Sequence, residues 1–144
     1  MGKIIRLLIA SAVVTVLWAC ELERSNNGDL DGFWHLTAVD TLATNVHTDM
    51  SQERVYWSFQ MRLAKLQHSG SVLARFNHVN GYLAFTSFYW NRGVGGDQPV
   101  SEEELGQLAQ FGVTQLQERF KVLQLNANEM VLQSEKLKLT FEKW

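Results

Sequence analysis

The stretch GDLDGFWHLTAVDT, Gly28–Thr41, marks the point where the folded domain begins. The residues just before it, ELERSNNGD at 21 to 29, are polar and contain Asn-Asn-Gly, which is typical of a flexible linker. Gly32-Phe33-Trp34 then opens a segment that we interpret as the first β-strand, near residues 32 to 39. The sequence therefore predicts a domain at residues 30 to 144 behind a tether at residues 20 to 29.

Beyond Leu30 the dominant pattern is alternation of apolar and polar residues. Trp57, Phe59, Met61 and Leu63 fall on one face of a predicted strand at 54 to 66, because successive side chains of a strand point to opposite faces. The last strand repeats this pattern. The predicted strands lie near residues 32 to 39, 54 to 66, 72 to 79, 82 to 89, 118 to 125, 129 to 134 and 136 to 143. An eighth strand is expected at 41 to 50 or 113 to 117.

Turn signals join these strands into an antiparallel meander. Asn80-Gly81 stands between two apolar runs and predicts a two-residue hairpin, since a type I′ turn needs positive φ at both central residues. Further turns are expected at Asn126 to Glu129 and at Ser134 to Lys136. The chain is therefore expected to be all-β in class.

One short helix interrupts the meander. Ser101 and Glu104 have the spacing of a capping box, and Leu105, Leu108 and Ala109 are expected to form its apolar stripe. Gly112 is expected to end the helix.

The segment Gly32-Phe33-Trp34, placed at the first strand of a meander, resembles the Gly-X-Trp motif of lipocalins and their calycin relatives. From Cys20 to its end the chain is similar to small lipocalin-like lipoproteins of Bacteroidetes. The resemblance implies an up-and-down antiparallel barrel of about eight strands with one short helix. It also implies that Gly32 permits a tight start to the first strand and that Trp34 plugs one end of the barrel.

Residues 1 to 19 have the layout of a secretory signal, with Lys3 and Arg6 before an apolar run and Ala19 before the cut. Leu17-Trp18-Ala19-Cys20 resembles the lipobox of bacterial lipoproteins. That resemblance implies cleavage before Cys20 and acyl chains on Cys20 that anchor the protein in a membrane. We expect an exported protein on the outer membrane, at its periplasmic face or at the cell surface. The alternative for Cys20 is an unpaired buried thiol.

Charge and cysteine content restrict the partners of the mature chain. Without Lys3 and Arg6 it holds 11 basic and 15 acidic side chains, a formal charge of −4, which argues against nucleic acid as a partner. Cys20 is the only cysteine, so the domain must be stable without disulfides.

The sequence does not indicate an enzyme. Its four histidines, His35, His47, His68 and His78, are dispersed and have no metal-binding spacing. No nucleophile motif or phosphate-binding loop is present. We expect no catalytic residues, no metal and no cofactor.

The predicted inward aromatic stripe has two interpretations. Its members either line a pocket for a small apolar ligand or fill a solid core, as side chains do in many small barrels. The candidate ligand-lining residues are Trp57, Phe59, Met61, Phe76 and Phe85.

The loop WNRGVGGDQP, Trp90 to Pro99, is rich in glycine and leads into the helix. Its default interpretation is a mobile loop, and the alternative is a lid over one end of the barrel. The candidate lid residues are Trp90, Gly93, Gly95 and Gly96.

Two functions fit this sequence. The first is a lipid-anchored module of the cell envelope that binds a small apolar or amphiphilic ligand. The second is a non-catalytic interaction or scaffold module with a solid barrel core, acting on a protein partner within an envelope complex. Fold analogy supports the first, and the lack of a catalytic constellation supports the second.

Overall fold

A computed structural model describes residues 25–93 and 95–144, and these form a closed antiparallel barrel. Eight strands make the wall in the order β1-β3-β4-β5-β6-β8-β9-β10, and β10 pairs with β1 to close it. Two short strands lie outside the ring, with β2 on β1 and β7 on β6. The ten strands are β1 Gly32–Thr41, β2 Val46–Asp49, β3 Tyr56–Gln60, β4 Leu63–His68, β5 Gly70–Val79, β6 Tyr82–Trp90, β7 Gln98–Pro99, β8 Arg119–Leu125, β9 Glu129–Gln133 and β10 Leu137–Lys143.

The predicted all-β barrel is therefore confirmed. The end of the barrel where β1 begins is named the tether end, because the described residues 25 to 31 enter the barrel there. The opposite end is named the helix end, because the Glu102–Phe111 helix lies across it. The predicted extra strand at 41 to 50 is present as β2, which pairs with the second half of β1.

The single strand predicted at 54 to 66 is wrong, because the chain turns back at Met61 and Arg62. Gln60 pairs with Leu63, so β3 and β4 form a hairpin with a two-residue loop. Met61 has φ 56 and is exposed. The alternation of inward-facing and outward-facing residues shifts by one residue across the turn. Ala64 and Leu66 consequently point into the core, whereas Met61 and Leu63, predicted to point inward, face solvent.

The other turns form where the sequence predicts them. Val79 pairs with Tyr82, and Asn80 and Gly81 both adopt positive φ, as a type I′ hairpin requires. At the next hairpin the Asn126 side chain accepts hydrogen bonds from the backbone N–H groups of Asn128 and Glu129. The backbone conformation of the first turn and the Asn126 hydrogen bonds of the second thus fix the register of these strand pairs.

The helix Glu102–Phe111 is of the 3₁₀ type and carries the predicted capping box. The Ser101 backbone N–H and hydroxyl donate to the Glu104 carboxylate at 3.2 and 3.0 Å, and the helix ends at Gly112. Residues three apart share a face in a 3₁₀ helix, so Leu105, Leu108 and Phe111 face inward. Ala109, predicted within the apolar stripe, is instead exposed.

The described part of the predicted tether is fastened to the barrel. Gly28–Leu30 forms a single 3₁₀ turn, and Leu30 is buried. Met61 N–H donates to the Ser25 hydroxyl at 2.7 Å, and the Asn27 amide donates to the Met61 carbonyl at 2.7 Å. The predicted flexible tether therefore does not extend over residues 25 to 29. Within residues 25–93 and 95–144, no helix is long and apolar enough to cross a membrane.

Candidate functional site

Aromatic side chains fill the interior of the barrel. Trp57 lies 4.8 Å from Phe141 and 5.3 Å from Phe85 between ring centroids, and Phe85 lies 5.3 Å from Phe88 and 5.9 Å from Phe120. All five rings are at most 3% exposed. These separations are those of directly packed aromatic pairs, so the space that a barrel ligand would need is occupied by side chains.

The five candidate ligand-lining residues have different positions in this arrangement. Trp57, Phe59 and Phe85 pack against one another inside the core. Phe76 packs edge-on against Phe59 at 5.2 Å and reaches an open cleft at the tether end. Met61 lies in the β3–β4 turn at the rim of that cleft, and its predicted place on the inward face is wrong. Of the five candidate ligand-lining residues, four are therefore buried and Met61 is not.

Trp34 is buried at the tether end, where the Gly28–Leu30 turn covers it. Its indole N–H donates to the Leu30 carbonyl at 2.9 Å, and the Lys143 ammonium lies 4.4 Å from its ring centroid. The same ammonium donates to the backbone carbonyls of Asp29 and Asp31. Lys143 therefore holds the turn over Trp34 while making a cation–π contact with the ring.

Gly32 lies where the Lys143 side chain crosses the start of β1. It has φ 117, and a Cβ at this position would stand 2.8 Å from Lys143 Cε. The backbone conformation therefore favours glycine, and a Cβ would in addition displace the end of the Lys143 side chain.

The helix end is covered by the 3₁₀ helix. The Trp57 indole N–H donates to the Phe111 carbonyl at 2.9 Å, which joins the last turn of the helix to the centre of the core. Leu108, Phe111 and Val113 are fully buried beneath this cover. The Glu118 carboxylate, also buried, accepts hydrogen bonds from the backbone N–H and hydroxyl of Thr114 and so fixes the chain that leads into β8.

Beside this cover, a concave site of about 400 Å³ opens to solvent between β1, β2, the helix and the start of β10. We name it the mouth cleft. It is lined by Leu36, Val39, Thr48, Met50, Glu53, His68, Ala109, Gln110, Gly112 and Leu137.

The mouth cleft combines an apolar floor with a polar rim. Leu36 is fully buried, and Val39, Met50 and Leu137 are half-buried against the core. Hydrogen bonds hold the rim in place: the Gln110 side chain accepts from the Ser69 backbone N–H at 3.3 Å and donates to the Gln107 carbonyl at 3.0 Å. Its volume falls within the range of small-molecule sites, which are mostly apolar with a few placed polar groups. The cleft is therefore suited to a small molecule with an apolar body and a polar head.

The described residues of the glycine-rich loop, 90 to 93 and 95 to 99, do not line the mouth cleft. Trp90 is mostly buried at the end of β6, and the Arg92 guanidinium stacks over its ring at 5.2 Å and meets the Glu104 carboxylate at 3.3 Å. Hydrogen bonds from the backbone N–H and hydroxyl of Ser101, which exceed the opposing effect of desolvation, hold the pKa of Glu104 below its usual value. Gly93, Gly95 and Gly96 are exposed, and the lid role of this loop stays a prediction.

The histidines are held by different parts of the structure. His35 contacts the Glu53 carbonyl at 2.7 Å, His47 meets the Asp40 carboxylate at 2.6 Å, and His68 lies at the cleft rim. Among residues 25–93 and 95–144, no group of three or more His, Cys, Asp or Glu side chains could hold a metal ion. Cys20, the predicted lipid attachment point, lies outside the described residues.

Comparison with known proteins identifies the class of this barrel. A family model described as a lipocalin-like domain matches residues 14–144, and the chain belongs to that family. The resemblance carried by Gly32-Phe33-Trp34 is thereby confirmed. No match was found among curated protein sequences.

Solved structures show the same fold at low sequence identity. A lipocalin-like protein from Bacteroides uniformis aligns with a TM-score of 0.62 at 19% identity, covering 81% of this chain and all of its own. A protein from Bacteroides eggerthii aligns with a TM-score of 0.57 at 18% identity over 80% of this chain and 99% of its own. An NMR structure of a Burkholderia xenovorans protein gives 0.53 at 17% identity, over 85% of this chain and 91% of its own.

Sequence reasoning missed the mouth cleft. Its wall comes from four separate parts of the chain, of which Leu137 alone belongs to a strand face predicted to point inward. One signal was available next to β2, whose four residues are all exposed. Met50 directly follows this exposed strand, and a large apolar residue at that position indicates an apolar surface beside it.

Proposed function

We propose that the protein is a non-catalytic binding module that holds a small amphiphilic molecule in the mouth cleft. The observation that carries this proposal is the joining of an apolar floor to a hydrogen-bonded polar rim at one end of a lipocalin-like barrel. The occupied interior supports a cleft site over a site within the barrel. Binding would remove the apolar part of the ligand from water by placing it against Val39, Met50 and Leu137. The polar head of the ligand would face His68 or Gln110.

The site proposal is tested by filling the cleft from the helix. Ala109 lines the cleft, so Ala109→Trp places an indole in the space available to a ligand. Gln107→Trp adds the same ring two residues earlier on the same helix, at an exposed position that does not line the cleft, and serves as the matched control. The measurement is a fluorescence titration with anilinonaphthalene sulfonate, followed by competition with a medium-chain fatty acid.

We expect saturable binding by the wild type and by Gln107→Trp, and a loss of at least tenfold in affinity for Ala109→Trp, equivalent to about 1.4 kcal/mol. Equal affinity in all three proteins would place the probe elsewhere. Failure of the wild type to bind either compound saturably would argue against an amphiphile site.

We further propose that acyl chains on Cys20 anchor the protein to the outer membrane of the bacterial envelope. The proposal is supported by the signal layout and by the Leu17-Trp18-Ala19-Cys20 sequence. Metabolic labelling with palmitate tests it: label should enter the wild type and be absent from Cys20→Ala, which should keep its signal segment. Equal labelling of the two proteins would contradict the anchor.

The filled core also favours a second function, that of an interaction module acting through its outer surface. Such a module needs a rigid barrel but no cavity, which matches the aromatic packing of the interior. Cross-linking in native envelopes, followed by capture of the lipoprotein, should then recover a reproducible protein partner. Absence of one, together with ligand binding in the mouth cleft, would favour the first function.

A further inference from the structure

Exposed apolar side chains gather at the tether end of the barrel. Six large apolar side chains are exposed among residues 25–93 and 95–144, and five of them lie at or near this end. They are Met61, Leu63, Val79, Leu123 and Trp144. The sixth, Val46, is 53% exposed at the helix end. A one-sided distribution of this kind marks an interaction surface, whereas single exposed apolar residues do not.

Three of these residues border an open cleft, which we name the tether-end cleft. Met61 and Leu63 come from the β3–β4 turn and Val79 from the end of β5, with exposed fractions of 40, 47 and 61%. The other lining residues are Asn26, Asn27, Arg62, Phe76, Asn77 and His78, and the cleft has a volume of about 1170 Å³. The cleft is thus built where the incoming chain meets the barrel.

The charge along this cleft is positive. Arg62 lines it, and Arg75 lines the adjoining hollow on the outer wall. Neither guanidinium has a carboxylate within ion-pair distance among the described residues, and neither lining contains an aspartate or glutamate. The nearby Asp31 carboxylate is engaged by the Asn27 backbone and amide. Arginine side chains beside exposed apolar side chains match the phosphate head groups and acyl boundary of a bilayer.

The chain length before the barrel limits how far this end can move from a membrane. Ser25 is held to the β3–β4 turn, and four residues separate it from Cys20. An extended chain advances about 3.5 Å per residue, so five steps from Cys20 to Ser25 span at most about 17 Å. A protein anchored at Cys20 therefore keeps its tether end next to the bilayer.

We infer that the tether end docks on the bilayer that holds the acyl chains of Cys20, with Met61, Leu63 and Val79 inserted among the lipid head groups. This inference rests on the anchor of the proposed function. Anchoring gives the surface a high effective concentration of lipid, so a few apolar side chains suffice for docking. Docking in this direction turns the mouth cleft away from the membrane.

The test compares two valines at opposite ends of the full-length lipoprotein. Val79→Cys and Val46→Cys each replace an exposed valine, and acylated Cys20 leaves the new thiol as the one reactive cysteine. Each thiol carries an environment-sensitive nitrobenzoxadiazole label, and the proteins are placed in phosphatidylglycerol–phosphatidylethanolamine vesicles. Mass spectrometry confirms acylation, and flotation confirms attachment to the vesicles.

For the label at position 79, we expect a several-fold rise in emission, a shift to shorter wavelength and quenching by lipids brominated near the head group. The label at position 46 should show none of these changes. Leu63→Asp in the Val79→Cys background should reduce the rise at least twofold, because a carboxylate resists insertion beside the label.

Three outcomes separate the proposals. If the proteins do not float with the vesicles, the acyl anchor at Cys20 is absent and that part of the proposed function is wrong. Proteins that float while both labels remain in water retain the anchor and overturn the docking. A signal at position 79 that grows with the protein-to-lipid ratio reports contact between copies of the chain and also overturns it.

Discussion

Replacement of Phe85 by alanine measures how tightly the barrel interior is packed. Phe85 is 1% exposed and lies within 6.4 Å, between ring centroids, of Trp57, Phe59, Phe88 and Phe120. Truncation to alanine removes the ring from the centre of this cluster. Because the surrounding rings are held by strands on several sides, they can collapse into the space only partly.

The expected loss follows from this packing. Truncation of a buried phenylalanine costs about 3 to 5 kcal/mol, and the four aromatic neighbours place Phe85→Ala near 4 kcal/mol. With a urea dependence of about 2 kcal/mol per molar, the unfolding midpoint should fall by roughly 2 M. The measurement is equilibrium urea unfolding of wild type and variant, followed by tryptophan fluorescence and circular dichroism.

Phe33→Ala provides the control for the same chemical change on the outer wall. Phe33 is half-buried and stacks on Tyr56 at 5.2 Å, so its truncation should cost about 1 kcal/mol. A loss for Phe85→Ala no larger than that for Phe33→Ala would refute the close-packed interior. It would indicate a barrel with room around Phe85, and the search for the ligand would then move from the mouth cleft to the interior.

Two further predictions concern the tether end. Gly32→Ala should lower the free energy of unfolding by about 1 to 3 kcal/mol, since alanine is strained at φ 117 and its Cβ meets Lys143. Gly106→Ala, in open space on the helix, should be neutral or slightly stabilising, and equal effects of the two would contradict this reasoning. Desolvation opposes ionisation of Asp31, but hydrogen bonds from Ser25 and Asn27, aided by Lys143, lower its pKa below the usual value. The ionised Asp31 carboxylate therefore stabilises the fold above its unfolded pKa, near pH 4, and this stabilisation is lost as the pH falls through the folded pKa. The difference in unfolding free energy between wild type and Asp31→Asn should accordingly shrink below about pH 4. A difference that stays constant under urea unfolding between neutral and acid pH would contradict it.

Much of the fold could be predicted because its signals are local. Alternation separates the two faces of each strand, and the positive φ needed at Asn80 and Gly81 selects a hairpin at that place. The capping box fixes the helix start between residues three apart in sequence. Such features depend on neighbouring residues alone, and the sequence displays both partners together.

The β3–β4 turn was harder to predict because the residues that stabilise it are distant in sequence. The Met61 turn carries no glycine, proline or asparagine, and Ser25 and Asn27 stabilise it from 36 and 34 residues away. Without those two contacts in view, alternation alone extends the strand through Met61 and assigns its side chain to the wrong face.

The sequence by itself determined the all-β class, the hairpin turns at Asn80-Gly81 and after Leu125, and the lipocalin-like start at Gly32 and Trp34. Only the tertiary structure decided that the aromatic stripe fills the barrel and that a helix closes one end through Trp57 and Phe111, 54 residues apart. It also decided where the mouth cleft and the exposed tether end lie. The physical reason is that the alternation of a strand depends on neighbouring residues, whereas free volume and exposure depend on which distant side chains come into contact when the barrel closes.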